Sequence, residues 1–225
     1  MNLSSHLRSA FKLLLKRFGP QRWWPAETPF EVCIGAILTQ NTAWTNVEKA
    51  IANLKSAHAL HPKVLLSLPD PTLAQLIRPS GYFNLKARRL KAFVRFFVEN
   101  HGASIKQMAH QDTDILRQQL LGVYGIGKET ADSILLYSLD KPIFIIDAYT
   151  RRVFERHGWI RGEEDYDTIR EMVEAAWHKF SPEQQRKDFN EFHALIVALG
   201  KDFCHKKNPV CCKCPLQRML PKKKD

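Results

Sequence analysis

The sequence predicts an all-α protein. Apolar residues recur at helical spacing through most of the 225-residue chain, and capping residues stand in front of many of those runs. Strand signals are poor. Only Ile143 to Ile146 reads as β-like, and it is short.

The elements follow in order. Leu3, Leu7, Phe11, Leu14 and Phe18 share one face of a first helix. No acid precedes Glu27, so this segment imitates a mitochondrial presequence. A structural helix is the better reading, because it leads directly into Trp23-Trp24-Pro25. Phe30 to Leu38 forms an apolar helix, and Asn41 or Thr42 caps the next, which runs through Leu54. Asp70 before Pro71 reads as a cap plus first turn for Thr72 to Ile77. Leu85 to Val98 interleaves apolar positions with Lys86, Arg88, Arg89, Lys91 and Arg95. Asp112 caps a helix through Leu121, and Gly127 or Lys128 opens one through Tyr137. Ala148 to His157 and Asp165 to Phe180 follow. Ser181-Pro182-Glu183-Gln184 is a capping box opening a helix to Leu199, stopped by Gly200.

A hydrophobic content of 44% supports a sizeable core, and the net charge of +11 favours a polyanionic partner. A soluble protein that is merely basic has the same charge. The longest uncharged stretch, Val32 to Val47, is too short and too polar to span a membrane. Five cysteines without a signal peptide argue for a reducing compartment rather than a disulfide framework. The Lys222-Lys223-Lys224 tail reads as a solvated end.

The densest motif is Gly122-Val-Tyr-Gly125-Ile-Gly127 followed by Lys128. Glycines can take positive φ or admit a close approach, and amides at a helix N-terminus favour phosphate. An ordinary interhelical turn fits the same letters. After the next helix stands Asp147, behind Ile143, Phe144, Ile145 and Ile146. Such an acid is costly to bury unless it is used or paired. It also precedes Ala148-Tyr149-Thr150-Arg151 as a helix N-cap would, and both roles are compatible.

Read together, Gly125-Ile-Gly127-Lys128-Glu129-Thr130-Ala131-Asp132 and Ile145-Ile146-Asp147 resemble the helix-hairpin-helix and Gly/Pro-Asp signature of the endonuclease III superfamily of DNA glycosylases. The likeness extends upstream through Thr39-Gln40-Asn41-Thr42 and downstream to the cysteines, so it covers most of the chain. It implies two helical domains with DNA held at a cleft between them. One is a six-helix domain over residues 27–141 carrying the helix-hairpin-helix. The other joins residues 1–26 to 142–225 and ends in a C-terminal cysteine loop.

The same resemblance assigns roles. Asp147 would stabilise a sugar oxocarbenium ion and orient or deprotonate the attacking water. Bifunctional members carry a lysine before the Thr-Ala of the second helix, where this chain has Glu129. A carboxylate cannot form the Schiff base, and Lys128 is turned by roughly 100° about the helix. The expectation is a monofunctional enzyme with little lyase activity. Glu129 either faces the base pocket, where it would tolerate cationic bases, or complements the helix dipole at the surface. Gly122, Gly125, Gly127 and Lys128 would contact DNA, and Gln40 matches the residue that fills the gap left by a flipped nucleotide.

Three of the five tryptophans lie at Trp23, Trp24 and Trp44. Trp23-Trp24-Pro25 and Trp44 look like the 3-methyladenine DNA glycosylase branch, whose aromatics sandwich an alkylated base, and Arg78-Pro79-Ser80-Gly81-Tyr82-Phe83-Asn84 resembles that branch too. A cationic purine gains about 0.5–2 kcal/mol per aromatic contact. Core packing is the alternative, but adjacent Trp23 and Trp24 cannot both face one core.

Cys204, Cys211 and Cys214 resemble three ligands of the family's 4Fe–4S loop, with spacings of six and two residues. The fourth ligand position is Leu220. An incomplete or labile cluster, zinc, and a metal-free loop all remain open at this level. Lys201, Lys206, Lys207 and Lys213 leave the loop basic in each case.

The expected function is excision of alkylated purines such as 3-methyladenine from double-stranded DNA, by a monomer without membrane association, in the bacterial cytoplasm or nucleoid. The alternatives are an endonuclease III-like glycosylase and lyase for oxidised pyrimidines, and a non-catalytic hairpin DNA-binding module.

Overall fold

Local chemistry starts the helices. The Thr28 hydroxyl accepts the Glu31 amide at 3.1 Å, and the Glu31 carboxylate reaches back to the Glu27 amide at 3.2 Å. This reciprocal pair satisfies two amides that a helix N-terminus leaves open. Asp112, Asp147, Asp165 and Ser181 each accept first-turn amides at four later helices.

The computed structural model describes residues 3–221. Its helices are α1 (Leu3–Phe18), α2 (Pro29–Leu38), α3 (Trp44–Ser56), α4 (Pro62–Ser67), α5 (Asp70–Leu76) and α6 (Phe83–His101). There follow α7 (Ile105–His110), α8 (Thr113–Leu121), α9 (Lys128–Ser133), α10 (Ala148–Arg156), α11 (Tyr166–Ala176) and α12 (Pro182–Asp202). No strand occurs among the described residues, and none of their helices is long and apolar enough to cross a membrane. The lysine tail at 222–224 lies outside them.

The chain divides into two units. Residues 24–141 form one; residues up to Trp23 and from Pro142 onward form the other. In the first, α2 is buried on every side and packs against α3, α6 and α9. In the second, α1 lies on α11 and α12, and α10 lies on α12. Phe144, Trp177, Phe189 and Phe192 fill its centre with mutual ring contacts.

Several boundaries differ from the sequence reading, each for a visible reason. Neither Asn41 nor Thr42 caps α3. Asn41 adopts φ +53°, and the Thr42 hydroxyl donates to the Ser80 carbonyl at 2.5 Å, which leaves Ala43 at the cap. Asp70 is the first residue of α5, and its carboxylate pairs with Lys91. The helix after the hairpin changes to a π turn over Ile134–Ser138. There the Ser138 hydroxyl donates to the Pro29 carbonyl at 2.8 Å, which ties the turn to the start of α2.

Ile143 to Ile146 is buried without a partner strand. Side chains replace the missing ladder: the Phe144 amide donates to Glu174 at 2.9 Å, and the Ile146 amide to the Tyr166 hydroxyl at 3.3 Å. Gly200 does not stop α12, which runs to Asp202. A Cβ there would collide with the Tyr149 ring packed over it.

Candidate active site

The hairpin links α8 to α9. Its flanks are closed by a buried bidentate ion pair: Arg117 Nε donates to Asp132 Oδ1 at 2.6 Å and Nη2 to Oδ2 at 3.1 Å. Of its three glycines only Gly125 needs to be one, with φ +81°. Gly122 ends α8 in ordinary helical conformation, φ −74°. Gly127 caps α9 in extended conformation, and a Cβ there would meet nothing within 4 Å. The backbone at Gly127 is therefore open to a ligand. Lys128 and Glu129 are exposed in the first turn of α9. Glu129 carries its negative charge where the helix dipole favours it.

Gln40 lies against this hairpin and is half-buried rather than a free tip. Its Nε2 donates to the Gly125 carbonyl at 3.0 Å and to the Thr130 hydroxyl at 2.9 Å, while its Oε1 accepts from Arg89 Nη1. Close by in sequence to the Arg78–Ser80 turn, Tyr82 holds a left-handed conformation, φ +44°, and is 70% exposed. Tyr82 thus presents an aromatic ring to solvent on a backbone conformation that L side chains rarely adopt, within the Arg78 to Asn84 segment that the sequence singled out.

In the same unit Trp24, Pro25 and Trp44 line a pocket of about 180 Å³ with Glu31, Glu48 and Lys55. The Trp24 indole packs on α2 at Gly35, where a Cβ would stand 3.4 Å from Trp24 Nε1. Trp44 meets Trp24 edge-on, with ring centroids 5.1 Å apart and planes at 90°. The two rings form a corner, not two parallel walls. The Trp44 Nε1 donates to Glu48 at 2.9 Å, and Lys55 neutralises Glu31 at 2.9 Å. Glu48 leaves the pocket with a carboxylate that the sequence reading did not single out. Trp23 belongs to the other unit, where Lys201 Nζ lies 5.7 Å from its ring centre.

Asp147 caps α10. Its Oδ1 accepts the Thr150 amide at 2.7 Å, and its Oδ2 lies 3.6 Å from His193 Nε2 on α12. Burial pushes the carboxyl up, but His193 and the Thr150 amide outweigh it and hold the group below its ordinary range. The carboxylate is thus held ionised, and its side chain is 13% exposed. His193 sits in the apolar run Phe192 to Val197, and only its packing on α10 reveals its partner.

The cysteine loop departs from a cluster site. Among the described residues no three His, Cys, Asp or Glu side chains are grouped to hold a metal. Cys204, Cys211 and Cys214 are free thiols, and Leu220 stands at the fourth position. Cys204 Sγ instead accepts from Arg156 Nη1 at 3.2 Å. The same guanidinium holds the His205 and Lys206 carbonyls at 2.6 and 3.1 Å, and Arg152 Nε holds the Cys204 carbonyl at 2.7 Å. Burial first, then the neighbouring Cys204 and Cys211, raises the Cys214 thiol, although the Leu216 amide opposes this. These residues do not fit a four-thiolate cluster.

Comparison with known proteins converges on one family. Residues 34–179 match the model of the HhH-GPD superfamily base excision DNA repair proteins. The chain is 49% identical over 209 residues to a provisionally named DNA repair glycosylase of Methanocaldococcus jannaschii, covering 92% of each. It resembles the H. pylori 3-methyladenine DNA glycosylase bound to 1,N6-ethenoadenine, with 30% identity and a TM-score of 0.75 over 89% of this chain and 98% of that one. An endonuclease III–DNA complex shares the fold, with a TM-score of 0.80 at 21% identity over 98% and 96% of the two chains. The chain therefore belongs to the HhH-GPD superfamily of base excision DNA repair proteins, as one of its DNA glycosylases.

Proposed function

We propose that this glycosylase is monofunctional and removes alkylated purines, 3-methyladenine foremost, from double-stranded DNA. The observation that carries this reading is the pocket of Trp24, Pro25 and Trp44 with a carboxylate at Glu48. Aromatic faces and a negative charge both favour a cationic base over a neutral one. The likeness to a 3-methyladenine DNA glycosylase at 30% identity supports the same substrate class.

The reaction asks little of the protein beyond extrusion and charge stabilisation. An alkylated purine already carries positive charge, so it leaves with the glycosidic electron pair as a neutral base. The sugar becomes an oxocarbenium ion, and the ionised Asp147 stabilises it. Water then adds to the anomeric carbon and loses its proton, giving an abasic site. Because Asp147 is held in its charged form, it acts more by its charge than as a strong base. Glu129 has no amine to form an imine, so the strand stays intact.

The test is an excision assay on a panel of lesion duplexes that resolves free base from strand cleavage. Alkylpurine release without cleavage is expected, and Asp147→Asn should reduce it at least about 100-fold while duplex binding persists. Activity should also persist below the ordinary aspartate range as pH falls, because the carboxyl stays ionised there. Borohydride trapping on abasic DNA at lyase-like efficiency, or full activity of the Asp147→Asn variant, would overturn this mechanism.

A further inference from the structure

Three chain segments meet at the Gln40 side-chain amide: the hairpin through the Gly125 carbonyl, α9 through the Thr130 hydroxyl, and α6 through Arg89. The amide uses its nitrogen on two acceptors and its oxygen on one donor. A guanidinium can only donate, so Arg89 dictates that Oε1 faces it and that the NH2 group faces Gly125 and Thr130. Arg89 is itself fixed. Its stem lies against Gly125 so closely that a Cβ there would collide with Arg89 Cγ, Cδ and Nε. The glycine thus serves the turn and makes room for the arginine.

One helical turn earlier, buried Lys86 donates to the Leu38 carbonyl at 2.8 Å and to the Ser80 carbonyl at 2.7 Å. Thr42 donates to the same Ser80 carbonyl. The turn from Thr39 to Thr42 is therefore held at one end by Lys86 on Leu38 and at the other by the Ser80 carbonyl that Lys86 shares, and Arg89 adds the bond that orients the Gln40 side chain.

We infer that Arg89 is a positioning residue acting through Gln40: it holds the amide preorganised against the hairpin, ready to fill the gap that an extruded nucleotide leaves. This rests on the proposed glycosylase reading. Without Arg89 the glutamine regains rotamer freedom, and inserting it costs the corresponding entropy. The competing role for Arg89 is a phosphate contact, which would act independently of Gln40 and contribute to the salt dependence of DNA binding.

A double-mutant cycle separates the two. Arg89→Met, Gln40→Ala and the double variant are compared on a duplex carrying an abasic-site analogue beside 2-aminopurine, whose fluorescence reports unstacking. Binding is measured across salt concentrations on the same duplex. Arg89→Met is expected to lower the insertion equilibrium about tenfold, the worth of one hydrogen bond to a charged donor. In the Gln40→Ala background it should have no further effect, and the salt slope should not change. Equal losses in both backgrounds, or a salt slope reduced by about one, would overturn the inference. Should Arg89→Met fail to fold, Arg89→Lys keeps the charge and stem but loses the planar donor fork. It must then give a smaller loss that also vanishes without Gln40, and a loss that persists there overturns the inference. The abasic duplex requires no excision. Absence of base release by the unaltered protein therefore refutes the glycosylase reading separately from this result.

Discussion

The hairpin and the cysteine loop are both short turns with motif-like spacing, yet they are held in opposite ways. The hairpin is complete. Gly125 supplies its positive φ, and the buried Arg117–Asp132 pair closes the helices around it. The loop lacks its fourth thiol at Leu220 and is fastened from α10 by Arg152 and Arg156. A motif defined by backbone conformation rests on one glycine and its neighbours. A metal motif counts donors, so a single replacement takes one thiolate from the set, and here other bonds hold the loop.

This contrast makes graded predictions. The largest effect is expected at the hairpin. Arg117→Met strips the buried Asp132 carboxylate of its guanidinium and should cost about 3–5 kcal/mol in denaturant unfolding. A loss below about 1 kcal/mol would mean that the ion pair does not hold the hairpin.

At the loop, Arg156→Met should cost about 1–2 kcal/mol, because its bonds are partly exposed and go mostly to carbonyls. Cys211→Ser should stay within about 0.5 kcal/mol. Protein purified anaerobically should lack stoichiometric iron and an iron–sulfur absorbance band. Iron at one cluster per chain, or a Cys211→Ser loss equal to that of Arg156→Met, would break the contrast.

The last prediction is a pH dependence and concerns Lys86, on the hairpin's side of the comparison. Burial, then the nearby charge of Arg89, lowers its pKa to about 8. The folded value lies below the unfolded one, so the charged lysine opposes folding fully below pH 8. That penalty fades as pH rises from about 8 towards 10.5. Measured against Lys86→Met, the unaltered protein should therefore gain stability across this window. A difference independent of pH would show that Lys86 titrates normally.

Much of the fold was legible because helix signals are local. Thr28, Asp112, Asp165 and Ser181 act on amides two or three residues away, and amphipathic spacing does the rest. The misreadings share one cause, competition from distant partners. Thr42 looked like a cap, but its hydroxyl goes to Ser80. Gly200 looked like a stop, but it makes room for Tyr149. The short helices α4 and α7 carry too few apolar positions to show a period. At the site, Asp147, the hairpin and the Arg78 to Asn84 segment were visible as letters, whereas His193, Glu48 and the role of Arg89 were not. Their meaning lies in contacts or exposure that spacing does not encode.

The sequence by itself determined the helical architecture, the family signature and the carboxylate at Glu129, since each is written in residue identity and short-range order. Tertiary structure alone decided that Asp147 is ionised beside His193, that Trp24 and Trp44 meet as a corner, and that Gln40 is held rather than free. Charge state and side-chain orientation depend on burial and on hydrogen bonds across long loops. No local pattern in the chain fixes those.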